Sequence, residues 1–211
     1  MCERTYIIGD IHGCLEMLKR LIDKIDWQPE QDRLIFLGDY IDRGADSKGV
    51  VDYVLQLLET SSHVRCLKGN HESLFLDYLN GEDYSTFLMN GGKNTLASYE
   101  SDDTTGISPK HMSFYESLET MIELDDYYVV HAGFRPEVEM AEQSEEDFQW
   151  IREPFIFSEY DFGKRVIFGH SPFYEPLVMD NKIGLDTGAV FGNRLTCLEI
   201  PDIKFHSVGV E

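Results

Sequence analysis

The sequence predicts an α/β fold in four layers: two packed mixed β-sheets flanked by helices. Three observations predict it. The first third alternates short apolar runs with amphipathic helical segments, the β-α-β-α-β order of parallel strands joined by crossover helices. The second half holds six short runs of strand-forming residues, set closer together, for which many antiparallel pairings are expected. Each of the first three runs ends in a short polar segment that begins with glycine.

Taken in order, Thr5 to Ile8 reads as the first strand. Cys14 to Ile25 follows as a helix, with Leu15, Leu18, Leu21, Ile22 and Ile25 at helical spacing. Arg33 to Leu37 is the second strand, and Val50, Val51, Val54, Leu55 and Leu58 mark a second helix. His63 to Leu67 is the third strand and Glu72 to Leu79 a third helix. From about Gly81 to Met121 the pattern changes to a helical insertion, expected to cap the site. Strands resume at Tyr127 to Val130, Arg165 to Phe168, Leu177 to Asp180, Ile183 to Asp186, Leu195 to Ile200 and Lys204 to Val208.

The 211 residues contain no linker-like stretch and 42% hydrophobic residues, so a single domain spanning residues 1–211 is expected. A chain of this size buries roughly 70% of the surface it would expose unfolded. Eighteen basic residues against thirty-nine acidic ones give a formal charge of −21, which repels polyanions. Nucleic acid and anionic membranes are therefore poor partners, and most of the acidity is read as solvated surface. The four cysteines, Cys2, Cys14, Cys66 and Cys197, form no CxxC pair and read as small apolar residues in a reducing compartment. No apolar run approaches the ~20 residues a membrane span needs. With a strand beginning at once and no leader pattern, a cytoplasmic protein is expected.

The polar segments carry the chemistry. They are Gly9-Asp10-Ile11-His12-Gly13, Gly38-Asp39-Tyr40-Ile41-Asp42-Arg43-Gly44 and Gly69-Asn70-His71-Glu72, with twenty-four residues between each pair of neighbours. In open sheets with parallel strands, ligands collect beyond the carboxyl ends of the strands, where all three segments fall. Two more histidines follow apolar runs: His131 after Val129-Val130 and His170 after Val166-Ile167-Phe168-Gly169. Asp10, His12 and Asp39 form one ligand group; Asp39, Asn70, His131 and His170 form the other, with Asp39 bridging. A mixed oxygen and nitrogen set without thiolate suits Mn²⁺, Fe, Zn²⁺ or Co²⁺ better than Ca²⁺. Two divalent ions are thus the expected cofactors, Mn²⁺ foremost. Singly, each segment could be a helix cap or a turn, and each histidine a core residue; their combination in one order is what points to a dimetal site.

On these segments, together with His131-Ala132-Gly133 and Gly169-His170, the chain resembles the calcineurin-like metallophosphoesterases. Within them it is similar to the phosphoprotein phosphatases and their bacterial and phage serine/threonine phosphatase members. The resemblance implies a β-sandwich flanked by helices and attack on phosphorus by a hydroxide bridging the two ions, with no phosphoenzyme. It also implies that His71 protonates the leaving alkoxide while Asp42 orients it. Arg43 is expected to take two phosphoryl oxygens with its planar fork. Arg152, in Trp150-Ile151-Arg152, is the candidate second arginine by similarity to a Trp-x-Arg segment in bacterial relatives, with Arg135 a weaker competitor.

The expected activity is hydrolysis of phosphomonoesters, foremost phosphoserine or phosphothreonine in proteins. Alternatives are a dinucleoside polyphosphate hydrolase of the diadenosine tetraphosphate type, an enzyme for small phosphate esters, and a non-catalytic scaffold. The acidic composition weighs against a polyphosphate. Asp186-Thr187-Gly188 is read as a turn near the metal site, Asn90-Gly91-Gly92 as too short for a nucleotide loop, and His63, His111 and His206 as structural or surface residues.

Overall fold

Three parallel strands, β1 (Thr5–Ile8), β2 (Arg33–Phe36) and β3 (Val64–Cys66), are connected by α1 (Leu15–Lys24) and α2 (Ser47–Thr60) in the computed structural model. That structure describes residues 4–100 and 106–210; Cys2 and residues 101–105 of the expected insertion lie outside the described residues. Two later strands complete the first sheet, β9 (Arg194–Ile200) antiparallel to β1 and β10 (Lys204–Gly209) antiparallel to β9. Its order is β10-β9-β1-β2-β3.

The second sheet has β4 (Met121–Glu123), β5 (Tyr127–Val130), β6 (Arg165–Phe168), β7 (Leu177–Val178) and β8 (Lys182–Gly184), in the order β4-β5-β6-β8-β7. Its three central strands, β5, β6 and β8, run parallel, while the antiparallel pairs expected from the short spacing are β4–β5, β7–β8 and, in the first sheet, β1–β9 and β9–β10. The β5–β6 crossover carries two helices too short to show a helical period, α7 (Glu145–Trp150) and α8 (Glu153–Ile156). α7 is set by its cap: Ser144 accepts from the Asp147 N–H, and three acidic residues fill the first turn. β4 forms a hairpin with β5, a strand the sequence reading does not place between the insertion that ends near Met121 and Tyr127.

Strand alternation explains the layers. Ile7, Ile35 and Leu37 of the first sheet share one core with Ile122, Val129, Ile167 and Ile183 of the second. The intervening residues Tyr6, Ile8, Leu34 and Phe36 face Leu18 and Leu21 of α1 and Val50, Val51 and Val54 of α2. On the far side, Val130, Val166 and Phe168 pack against Phe134, Phe148 and Phe155.

After β3 comes α3 (Asn70–Asn80). The insertion supplies α4 (Tyr84–Phe87), a wide turn over Leu88–Gly92, α5 (Lys93–Glu100) and α6 (Pro109–Glu116). Phe87, Phe114 and Tyr115 join the core beneath α2 and α3, so these helices are anchored to the body of the protein. Among the described residues, no helix is long and apolar enough to cross a membrane.

Candidate metal centre

The site begins where the strands stop. His12, Asp39, Asp42, Arg43 and His170 have positive φ (46°, 51°, 71°, 65° and 61°), five of the seven non-glycine residues with that geometry among the described residues. Each such residue costs on the order of 1–3 kcal/mol and persists only where its surroundings over-determine it. For Asp39 those surroundings are explicit. Its carbonyl accepts the N–H of Ile11 (3.1 Å) and of His12 (2.8 Å), tying down the first loop. Its own N–H donates to Glu72 Oε2 at 2.8 Å.

Glu72 is wholly buried at the start of α3 and also accepts the N–H groups of Tyr40 (2.8 Å) and Gly69 (3.0 Å). Burial, then the charge of Asp39, pushes its carboxyl up to about 8, against the pull of the backbone donors. Sequence reading gave Glu72 no role beyond its motif; a glutamate three residues past a helix cap was the available signal. Gly69 is required by closeness, since a Cβ there would lie 2.1 Å from Asp39 Oδ1.

The histidine tautomers follow from their partners. His12 Nδ1 donates to the Ile41 carbonyl and His131 Nδ1 to that of Leu37, each at 2.8 Å. Both therefore turn an unprotonated Nε2 toward Asp39 Oδ2, each at 3.5 Å. Asn70 Oδ1 lies 3.1 Å from the same His131 Nε2, so acceptor faces acceptor. Burial keeps these rings neutral, pushing His12 down to about 3 and His170 to about 2, and lowering His131 as well.

Asp10 Oδ2 accepts the His170 N–H at 2.9 Å. Its other oxygen, Oδ1, is buried without a hydrogen-bond partner, and so is His170 Nε2. Burial, followed by repulsion from Asp186 and Asp39, raises the Asp10 carboxyl well above the usual range. Orphaned acceptors of this kind fit a bound cation.

Ligand atoms of His12, Asp39 and His71 lie within 4.8 Å of one another, as do those of Asp39, His131 and His170. Asp39 belongs to both groups. The first group brings His71 beside His12 and Asp39, while Asp10, expected with them, is held through Oδ2 by the His170 N–H and keeps Oδ1 without a partner. The donor set, imidazole and oxygen without thiolate, fits divalent transition ions.

Around these groups stand the remaining candidates. His71 Nδ1 is 2.6 Å from Oδ2 of the fully buried Asp42. Burial raises the Asp42 carboxyl, with His71 opposing it. Arg43 Nη1 donates to His12 Nε2 at 2.6 Å, and the guanidinium lies over the Phe191 ring, 5.7 Å from its centroid. Arg152 Nη1 donates to the His170 carbonyl and to Ser171 Oγ, both at 3.1 Å. Arg135 is 54% exposed and bound to Asp147, at 3.0 Å from Nε and 2.6 Å from Nη2. Asp186 is buried beside the site and accepts the Gly188 N–H, with burial raising its carboxyl to about 6.

Residues 3–209 match the calcineurin-like phosphoesterase family model. A bis(5'-nucleosyl)-tetraphosphatase PrpE (asymmetrical) from Bacillus thuringiensis is 30% identical, over 96% of this chain and 92% of its own. Among solved structures, one provisionally assigned as a diadenosine tetraphosphatase superposes with a TM-score of 0.80 at 24% identity, covering 100% of this chain and 96% of that one. A cold-active protein-tyrosine phosphatase from a psychrophilic Shewanella gives 0.71 at 18% identity, over 98% and 80% of the two chains. The chain belongs to the calcineurin-like phosphoesterase family, and it is a metallophosphoesterase of that fold.

Proposed function

We propose that the chain hydrolyses dinucleoside polyphosphates at a two-metal centre held by Asp10, His12, Asp39, Asn70, His131 and His170. The hydrolytic part rests on one observation: Asp39 belongs to two groups of converging ligand atoms at once. The substrate class rests on relatives named as bis(5'-nucleosyl)-tetraphosphatases, similar over nearly the whole chain. These names favour what the sequence offered as its alternative over its first expectation, a serine/threonine protein phosphatase.

When bound, two divalent ions supply Lewis-acid charge to the phosphoryl oxygens and an activated water at neutral pH. Mn²⁺ is the first candidate, with Fe, Zn²⁺ or Co²⁺ as alternatives. The chain's own residues supply the rest. Arg43 can leave His12 and take two phosphoryl oxygens with its fork. Arg152 reaches in from the His170 side. With Nδ1 engaged by Asp42, His71 presents Nε2 to the leaving oxygen.

A released nucleotide has a phosphate with a second pKa of about 6. It therefore needs that proton far less than an alkoxide would. Two exposed rings touch the site, Phe191 (65% exposed) against Arg43 and Trp150 (38% exposed) 6.0 Å from the His170 ring. Such rings suit nucleobase stacking, which is worth about 1–3 kcal/mol per base.

Assays with Mn²⁺ on a dinucleoside tetraphosphate, a phosphoserine peptide and an aryl phosphate test this function. The dinucleotide is expected to lead the peptide by at least about tenfold in kcat/KM, a difference of roughly 1.4 kcal/mol in transition-state binding. The reverse order would return the assignment to protein phosphatase.

A further inference from the structure

We propose that Thr95 is a positioning residue for the proton donor. In this role the segment from Gly91 to Thr95 clamps the Asp42–Arg43 loop and holds Asp42 in register with His71. The proposal rests on the reading of His71 as the acid that serves the leaving group.

Asp42 and Arg43 are consecutive non-glycine residues in the left-handed region, with φ of 71° and 65°. Such a pair does not hold itself, and the insertion grips it from both sides. The Arg43 N–H donates to the Gly91 carbonyl at 3.3 Å, and the Arg43 carbonyl accepts from Asn94 Nδ2. The Asp42 N–H is shared between Thr95 Oγ1 (2.9 Å) and Ser47 Oγ (3.0 Å). Thr95 Oγ1 in turn donates to Asp42 Oδ1 at 2.5 Å.

One buried hydroxyl thus fixes both the backbone and the carboxylate of Asp42. The other carboxylate oxygen is the one that meets His71. Thr95 spends its single proton on Asp42, so Ser47 Oγ donates to Thr95, at 3.0 Å. The loop also explains the Asn90-Gly91-Gly92 turn. A Cβ on Gly91 would lie 2.7 Å from Arg43 Cγ and 2.8 Å from Arg43 N, so only glycine lets the backbones approach.

A threonine that merely satisfied buried polar groups would affect every reaction of the enzyme alike. A positioning residue for the acid affects only reactions that need the acid. Thr95→Val keeps the shape and removes the hydroxyl. Its turnover on an alkyl phosphate is expected to fall roughly tenfold to hundredfold, less than the ~10²–10⁴ that loss of a positioned proton donor costs outright. On p-nitrophenyl phosphate, whose leaving group departs unprotonated, the change should stay within about twofold. Thr95→Ser should recover most of the loss. In a His71→Asn background, Thr95→Val should cost nothing further, because effects of groups acting as a unit do not add.

In the Zn²⁺-loaded protein, the low-field proton resonance of His71 Nδ1–H should shift or broaden in Thr95→Val and recover in Thr95→Ser. Equal losses on both substrates, additivity with His71→Asn, or an unchanged His71 resonance would each overturn the clamp. An alkyl phosphatase rate insensitive to His71→Asn would instead sink the role given to His71, and the resonance would still decide for or against Thr95.

Discussion

Glu72 accepts the backbone N–H of Asp39 at 2.8 Å, so the residue common to both ligand groups is held by a side chain from the first turn of α3. Replacing that carboxylate by an amide puts a donor where the N–H groups of Asp39, Tyr40 and Gly69 need acceptors. Glu72→Gln should cost about 1–3 kcal/mol, the usual loss for a buried unsatisfied group. At roughly 2–4 °C per kcal/mol for a chain of this size, the melting temperature should fall by several degrees. Calorimetry on the metal-free protein checks this, and an unchanged melting temperature would remove Glu72 from the frame of the site.

His71→Asn should reveal which leaving groups need the acid. Turnover of alkyl phosphates is expected to drop by roughly 10²–10⁴-fold. Turnover of a dinucleoside tetraphosphate should drop far less, because its leaving phosphate has a second pKa of about 6. Losses of equal size on both substrates would mean that His71 acts on binding rather than on departure.

Metal uptake should release protons from carboxyls and not from imidazoles. In the metal-free protein, burial and neighbouring carboxylates raise Asp10 well above its ordinary range, and burial raises Asp186 to about 6. A ligating carboxyl must be ionised, so affinity should fall as pH drops through the raised range of Asp10 and recover above it. His12 and His170, held near 3 and 2, are already neutral at pH 5 and contribute no protons between pH 5 and 8. Calorimetric titration with Mn²⁺ in buffers of different ionisation enthalpy counts the protons. Asp10→Asn should reduce the count, and an unchanged count would shift the source to the histidines.

Phe191→Ala should raise KM for a dinucleotide by roughly five- to hundredfold, the equivalent of ~1–3 kcal/mol of lost stacking. The effect on a small aryl phosphate, which carries no base, should be much smaller. Equal effects on the two substrates would make Phe191 a support for Arg43 alone.

Much of this was open to sequence reading because the motifs sit at strand ends, where periodicity fixes position. Asp10, Asp39 and Asn70 follow β1, β2 and β3 as their apolar runs require. The two packed sheets follow from the number of strands, and Ile7, Ile35 and Ile167 meet in the core between them. What escaped depends on contacts between segments far apart in the chain. Nothing local marks Thr95 as the partner of Asp42, fifty-three positions away. The parallel core of the second sheet was hidden because α7 and α8 are six and four residues long. Net charge says little about substrate: −21 describes the whole surface, and it does not report the local placing of Arg43 and Arg152 beside the ligand groups.

Anomalous diffraction from crystals grown with Mn²⁺, for this chain and for Asp39→Asn, tests the two-metal centre most directly. Two manganese peaks are expected in the parent, both within bonding distance of Asp39, one beside His12 and one beside His131 and His170, with at least one peak lost in the variant. A single peak in the parent, or two peaks that Asp39 does not join, would contradict it.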